Sequence, residues 1–203
     1  MTKDVAIDQG PGTRDQGRSS TSTSSSTFPG VLIGLLSRSA DPRGWLAELF
    51  RADVLEAADM GEAQPKMAYL SMTRPGVVRG PHEHREQTDF FAFTGPSDFE
   101  VTLWDNRPGS PTFGRRETYV LGAARPATLI IPPGVVHAYR NIGKVEGWAF
   151  NFPNRLYKGP GRQEPVDEIR HEDSAESPYK VEAEAKAEAE ANVKVETKTK
   201  GAQ

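Results

Sequence analysis

The chain has no cysteine. That absence excludes disulfide frameworks, iron–sulfur clusters and thiolate zinc sites, so any metal must be held by nitrogen and oxygen donors. Long apolar runs are also missing. No stretch approaches the ~20 residues needed to cross a bilayer, and the opening "MTKDVAIDQGPGTRDQ" lacks the apolar core of a secretory signal. The expectation is a soluble, cytoplasmic protein with no membrane partner. A basic excess is lacking too: 25 Lys and Arg stand against 28 Asp and Glu, a formal net charge of -3. This argues against a nucleic-acid partner. There is no glycine-rich phosphate loop and no βαβ alternation, which disfavours an α/β nucleotide-binding fold. No elbow motif supports Ser/His/Asp nucleophilic catalysis. Hydrophobic residues make up only 36% of the 203, so part of the chain is expected outside the core.

That part lies at the ends. Residues 1–28 are polar and include the low-complexity tract "SSTSTSSST", which cannot bury enough surface to order itself. Residues 179–203 are built largely from Ala, Glu, Lys, Val and Thr, a segment with no large apolar anchor. Both ends read as disordered tails around one domain at 29–178. That domain opens with "FPGVLIGLLSRS" and "WLAELFRADVLEA", of helical or mixed spacing, a short helical or extended segment. It continues with "MAYLSMT", "TDFFAFTG", "FEVTLWD", "ETYVLG", "ATLIIPPG", "VVHAYRNI" and "EGWAFNFP". Each is a short strand candidate bounded by Gly, Pro, Asn or Asp. So many short strands predict an all-β sandwich or barrel, with a jelly roll as one solution.

The residues with chemistry sit in two places. In "GVVRGPHEHREQTD", His82 and His84 are two apart and Asp89 follows; in "PPGVVHAYRN", His137 follows a turn. Side chains two apart on a strand share a face, so His82 and His84 can converge, and a histidine from a second hairpin can close the site. The paired motifs resemble the two signatures of the cupin superfamily, a double-stranded β-helix. Asp89 stands where an acidic metal ligand, usually Glu, is found. Three imidazoles and one carboxylate suit a divalent transition metal without selecting which.

Over residues 41–170 the chain more closely resembles one cupin family, the dTDP-4-dehydrorhamnose 3,5-epimerases. "DPRGWLAELFR" is similar to the family's opening motif and implies nucleotide-sugar contacts from Arg43 and Glu48. "SMTRPGVVRGPH" implies a substrate arginine at Arg79 and the catalytic base at His82. "DNRPGSPTFG" matches a family turn, and "IIPPGVVHAY" implies a second buried histidine at His137. The resemblance implies a homodimer, an N-terminal strand crossing to the partner, and chemistry without a cofactor. In that chemistry a histidine removes a proton beside a 4-keto group, a lysine stabilises the enolate, and a tyrosine returns a proton. Three departures stand out. Asp89 occupies the lysine position and Phe150 the tyrosine position, and the base has no evident aspartate partner. Tyr139 or Tyr157 are candidate replacement acids, and Glu86 or Asp173 candidate partners of His82.

Three readings follow. The first is an epimerase acting on a nucleotide-activated 4-keto sugar. The second is a metal-dependent cupin enzyme with His82, His84, Asp89 and His137 as ligands. The third is a sugar-binding module without turnover. Arg107, in a turn, is read as a surface charge, and Trp45, Trp104 and Trp148 as core or dimer contacts. "PNRLYKGPGRQEPVDEIRHED" is read as a strap over the barrel, with His171 a surface residue.

Overall fold

The computed structural model describes residues 23–181. The readings of residues 1–22 and 182–203 as tails lie outside the described residues. In chain order the strands are β1 (Thr23–Ser25), β2 (Leu32–Leu35), β3 (Ser39–Asp41), β4 (Gly44–Leu46), β5 (Tyr69–Thr73), β6 (Val78–Glu83) and β7 (Asp89–Gly95). These are followed by β8 (Asp98–Asp105), β9 (Arg116–Gly122), β10 (Ala127–Ile131), β11 (Val135–Asn141), β12 (Gly147–Asn151) and β13 (Ile169–Arg170). One α-helix, α1 (Ala52–Ala57), lies between β4 and β5. The predicted all-β jelly-roll architecture is what the chain adopts. Its six-stranded sheet has the order β1-β2-β10-β7-β12-β5, and its five-stranded sheet the order β13-β6-β11-β8-β9.

All seven strands read from the sequence are present. The segment "FPGVLIGLLSRS" resolves into strand β2 rather than helix, because Ile33 alternates inward against β10. Residues 23–28, read as the end of a tail, belong to the sandwich. β1 pairs with β2, and Phe28 is 1% exposed in the core. One buried aromatic outweighs the polarity of the residues before it.

Between the sheets Ile33, Phe91, Phe93, Phe99, Leu103, Leu121, Leu129 and Ile131 form one buried cluster. Strand alternation alone would bury every second residue, yet β7 and β11 are buried along their whole length. Their outer faces are covered too. Leu55 of α1 packs on Phe90 and Ile130 over the first sheet. On the second sheet Trp104, Val136 and Ala138 lie beneath Tyr179 and Val181. The inward positions of β7 are therefore Asp89, Phe91 and Phe93, and those of β11 are Val135, His137 and Tyr139. Phenylalanines fill one end of the interior, while Asp89 and His137 occupy the other.

Candidate active site

His82 stands directly opposite His137 across the β6–β11 pair and opposite Arg170 across the β13–β6 pair. The His82 and His137 rings are 4.3 Å apart, and His84 approaches His82 at 5.6 Å and His137 at 6.0 Å. This close approach needs Gly80. Its φ is +79°, and a Cβ there would lie 2.6 Å from the His137 carbonyl oxygen, so the "RGPH" run admits no larger residue.

Asp89 is fully buried at the centre. Its Oδ1 accepts hydrogen bonds from Gln87 Nε2 (2.8 Å) and Asn151 Nδ2 (2.9 Å). Its Oδ2 lies 3.1 Å from both His84 Nε2 and His137 Nε2. The ring nitrogens on the far side face main-chain carbonyls: His84 Nδ1 that of Asp167, and His137 Nδ1 that of Val135 at 3.1 Å. The donor atoms of His82, His84, Asp89 and His137 all lie within 4.8 Å of one another.

Burial opposes charge on the Asp89 carboxyl, but the adjacent imidazoles of His137 and His84 outweigh it and hold its pKa well below the usual carboxylate range. Burial likewise works against charging His84, yet Asp89 beside it and the Asp167 carbonyl raise that pKa to about 9. His82 goes the other way. Burial, reinforced by His137, lowers its pKa to about 2. At neutral pH His82 is unprotonated, while His84 and Asp89 form a charged pair.

His82 and His84 lie on the wall of a cavity of about 690 Å³. Arg79, Tyr139 and Tyr157 line it as well. The Arg79 guanidinium is steadied by Thr73 Oγ1 (2.9 Å) and the Met72 carbonyl (2.8 Å). Tyr139 Oη shares a hydrogen bond with Ser71 Oγ at 2.9 Å, and burial raises its pKa. The segment after β12 lies over the cavity as a strap and lends it Arg155, Lys158, Arg162, Asp167 and Glu168. His171, read as a surface residue, is fastened instead. Its Nε2 is 2.9 Å from buried Glu83 Oε1, and its ring packs edge-on against Tyr179.

Several residues read from the sequence lie elsewhere. Arg43 is exposed on the β3–β4 hairpin and pairs with Asp41 at 2.6 Å. Glu48 pairs with Arg51 and borders a smaller apolar cleft beside α1. Neither residue reaches the cavity within one chain. Phe150 faces away from it and stacks with Phe152, so the inward residues of this stretch are Ala149 and Asn151. Glu86 pairs with Arg155 at the surface, and Asp173 is exposed. The carboxylate that faces His82 is Glu168, with Oε1 3.8 Å from Nδ1. Arg107 is not a free surface charge: it binds Asp105 (2.8 Å) and the Pro29 carbonyl (2.7 Å). Trp104 is buried, whereas Trp45 and Trp148 are about half exposed.

The sequence reading also missed Tyr69, Lys158 and Glu168. Tyr69 lines the cavity, and its Oη accepts from Asn151 Nδ2 at 2.7 Å. Its signal was the period of β5, where Tyr69 and Ser71 share the inward face. Glu168 and Lys158 carried no local signal, because the strap has no periodicity to place them.

A family model for dTDP-4-dehydrorhamnose 3,5-epimerase matches residues 25–157. The chain belongs to this family. It is 40% identical over 119 residues to the "Probable low-salt glycan biosynthesis epimerase Agl13" of Haloferax volcanii, covering 58% of this chain and 73% of that one. It is 37% identical over 129 residues to the spore coat polysaccharide biosynthesis protein SpsL of Bacillus subtilis, covering 63% and 81%. Among solved structures, NovW, a 4-keto-6-deoxy sugar epimerase of Streptomyces spheroides, superposes with a TM-score of 0.64 at 24% identity, over 79% of this chain and 77% of that one. At that identity the superposition shows the shared fold.

Proposed function

We propose that this member of the epimerase family inverts a stereocentre beside the keto group of a nucleotide-activated 4-keto sugar, in polysaccharide or glycan precursor synthesis. The observation that carries the reading is the His82–Glu168 pair on the wall of a cavity that Arg79 and Lys158 also line. An unprotonated imidazole can take the proton from a carbon next to the carbonyl, and Glu168 is placed to stabilise the imidazolium that forms. The C–H electron pair then passes into the enolate. Arg79 and Lys158 supply positive charge for the enolate and the diphosphate. A proton returned to the opposite face of the carbon completes the inversion. Tyr139 and Tyr69 carry hydroxyl groups into the cavity from the strands, and Tyr157 carries one from the strap; Phe150, facing out, is not required for this step.

The same proposal includes a cytoplasmic homodimer. Leu70, Met72 and Trp148 are exposed and lie side by side on the outer face of β5 and β12, where Met72 pairs with Trp148. β5 is an edge strand, so a second copy can cover this face. Arg43 and Glu48 would then act, as the family resemblance implies, from the N-terminal segment of the partner.

The test is exchange of the hydrogens beside the keto group of dTDP-4-keto-6-deoxyglucose in deuterated solvent, followed by proton NMR. The purified protein should catalyse exchange, and His82→Ala should slow it by at least 10²-fold, the loss of a general base. Binding of the nucleotide sugar without exchange would leave the sugar-binding module as the reading.

A further inference from the structure

We propose that His84, Asp89 and His137 form a binding site for one first-row divalent transition metal ion, next to but separate from His82 on the cavity wall. The proposal stands on the geometry of the buried cluster and does not depend on the epimerase reading.

Two atoms at its centre have no partner. Asp89 Oδ2 and His137 Nε2 are buried and accept or donate no hydrogen bond, although they lie 3.1 Å apart. A buried carboxylate oxygen and a buried imidazole nitrogen left in this way carry a desolvation cost that a divalent ion bound to both would offset. An ion off the line joining them meets that need.

The orientation of each donor fits the same conclusion. The His137 Nδ1–H faces the Val135 carbonyl, which turns the Nε2 lone pair toward Asp89. His84 is set in the same way by the Asp167 carbonyl. On Asp89, Oδ1 is taken up by Gln87 and Asn151, leaving Oδ2 to face the two imidazoles. Carbonyl and amide partners behind imidazole and carboxylate ligands are the usual support of a metal site. Donors held about 2.1 Å from one ion are about 3.0 Å apart at right angles and about 3.4 Å apart at tetrahedral angles. The 3.1 Å separations of Oδ2 from both Nε2 atoms fall in this interval. Two imidazoles and one carboxylate favour zinc, iron, manganese, cobalt, nickel or copper over magnesium or calcium, which prefer all-oxygen sites. His82, with a side chain 15% exposed, leaves the ion one side open to the cavity.

The experiment uses the untagged full chain, with metal measured by plasma mass spectrometry and by titration of chelator-stripped protein with zinc and cobalt(II). Expected results are close to one equivalent bound per chain, visible cobalt absorption from nitrogen and oxygen ligation, and a higher Tm on loading. Asp89→Asn should weaken zinc binding at least 100-fold. Gln87→Ala, which removes the amide beside Asp89 Oδ1 and His84 Nε2 but no ligand, should weaken it about 10- to 100-fold. Should Asp89→Asn fail to fold, the wild-type titration and Gln87→Ala still decide the matter. Stripped protein that keeps its Tm and binds less than a tenth of an equivalent at micromolar zinc or cobalt overturns the proposal. Stoichiometry and sugar exchange are separate readouts, so failure of either reading is distinguishable from failure of the other.

Discussion

At the scale of single residues, the carboxylates of this protein do different work according to what surrounds them. Asp89 presents one oxygen to two imidazoles. Asp105, also buried, accepts from Arg107 Nε (2.8 Å), Arg107 Nη2 (2.8 Å), Ser110 Oγ (2.5 Å) and Thr112 Oγ1 (2.5 Å). It closes the turn after β8 and has no access to the cavity. Burial raises its pKa, but these donors, Arg107 foremost, bring it well below the usual carboxylate value. Since the folded value lies below the unfolded one of about 3.9, the stabilisation is complete above that pH and is lost as pH falls further. Asp105→Ala is expected to cost about 3 kcal/mol at pH 7 by leaving buried donors unpaired. Its deficit relative to wild type should shrink as pH drops below about 4, measured by urea midpoints across that range.

At the scale of elements, coverage decides what a strand can carry. β7 holds a buried carboxylate because both of its faces are shielded, the inner one by the second sheet and the outer one by α1. That helix has only six residues and no side-chain hydrogen bond at its N-cap, too short to be stable alone. It is held by the seating of Leu55 on Phe90 and Ile130. Leu55→Ala should cost about 2–4 kcal/mol in equilibrium unfolding. It should leave the positions of His82, His84 and His137 unchanged by NMR, since none of them contacts the helix. The strap works on the other side of the site. It brings Glu168 to His82 and is tied down through His171 and Glu83, which explains why a polar, turn-rich segment contributes to the cavity at all.

At the scale of the whole molecule, the exposed apolar face of β5 and β12 is the feature one chain leaves unfinished. If a second copy covers it, Trp148→Glu should place a charge in that interface and convert a dimer of full-length protein into monomers by light scattering. The same change should cost little folding stability, because Trp148 is 46% exposed in the single chain. A wild-type protein that is monomeric at micromolar concentration would remove the dimer from the proposal. Within the described residues no helix is long and apolar enough to cross a membrane.

Much of this was legible in the sequence, for a definite reason. Short alternating runs between turn formers determine strands, so all seven candidates and the sandwich could be read locally. Two histidines at strand spacing and a third after a turn determine a cluster once the strands pair. Residues with no periodic context were not legible: Glu168 and Lys158 lie in an irregular strap, and their place depends on where that strap crosses the barrel. Phe150 shows the converse. The family resemblance placed it at the site, but the pleat of β12 turned it outward and put Asn151 inside. The sequence by itself determined which residue types were available and which could share a face. Only the tertiary structure decided which faces met, because the separation of donor atoms depends on register, bulges and the covering of each sheet, which no local pattern contains.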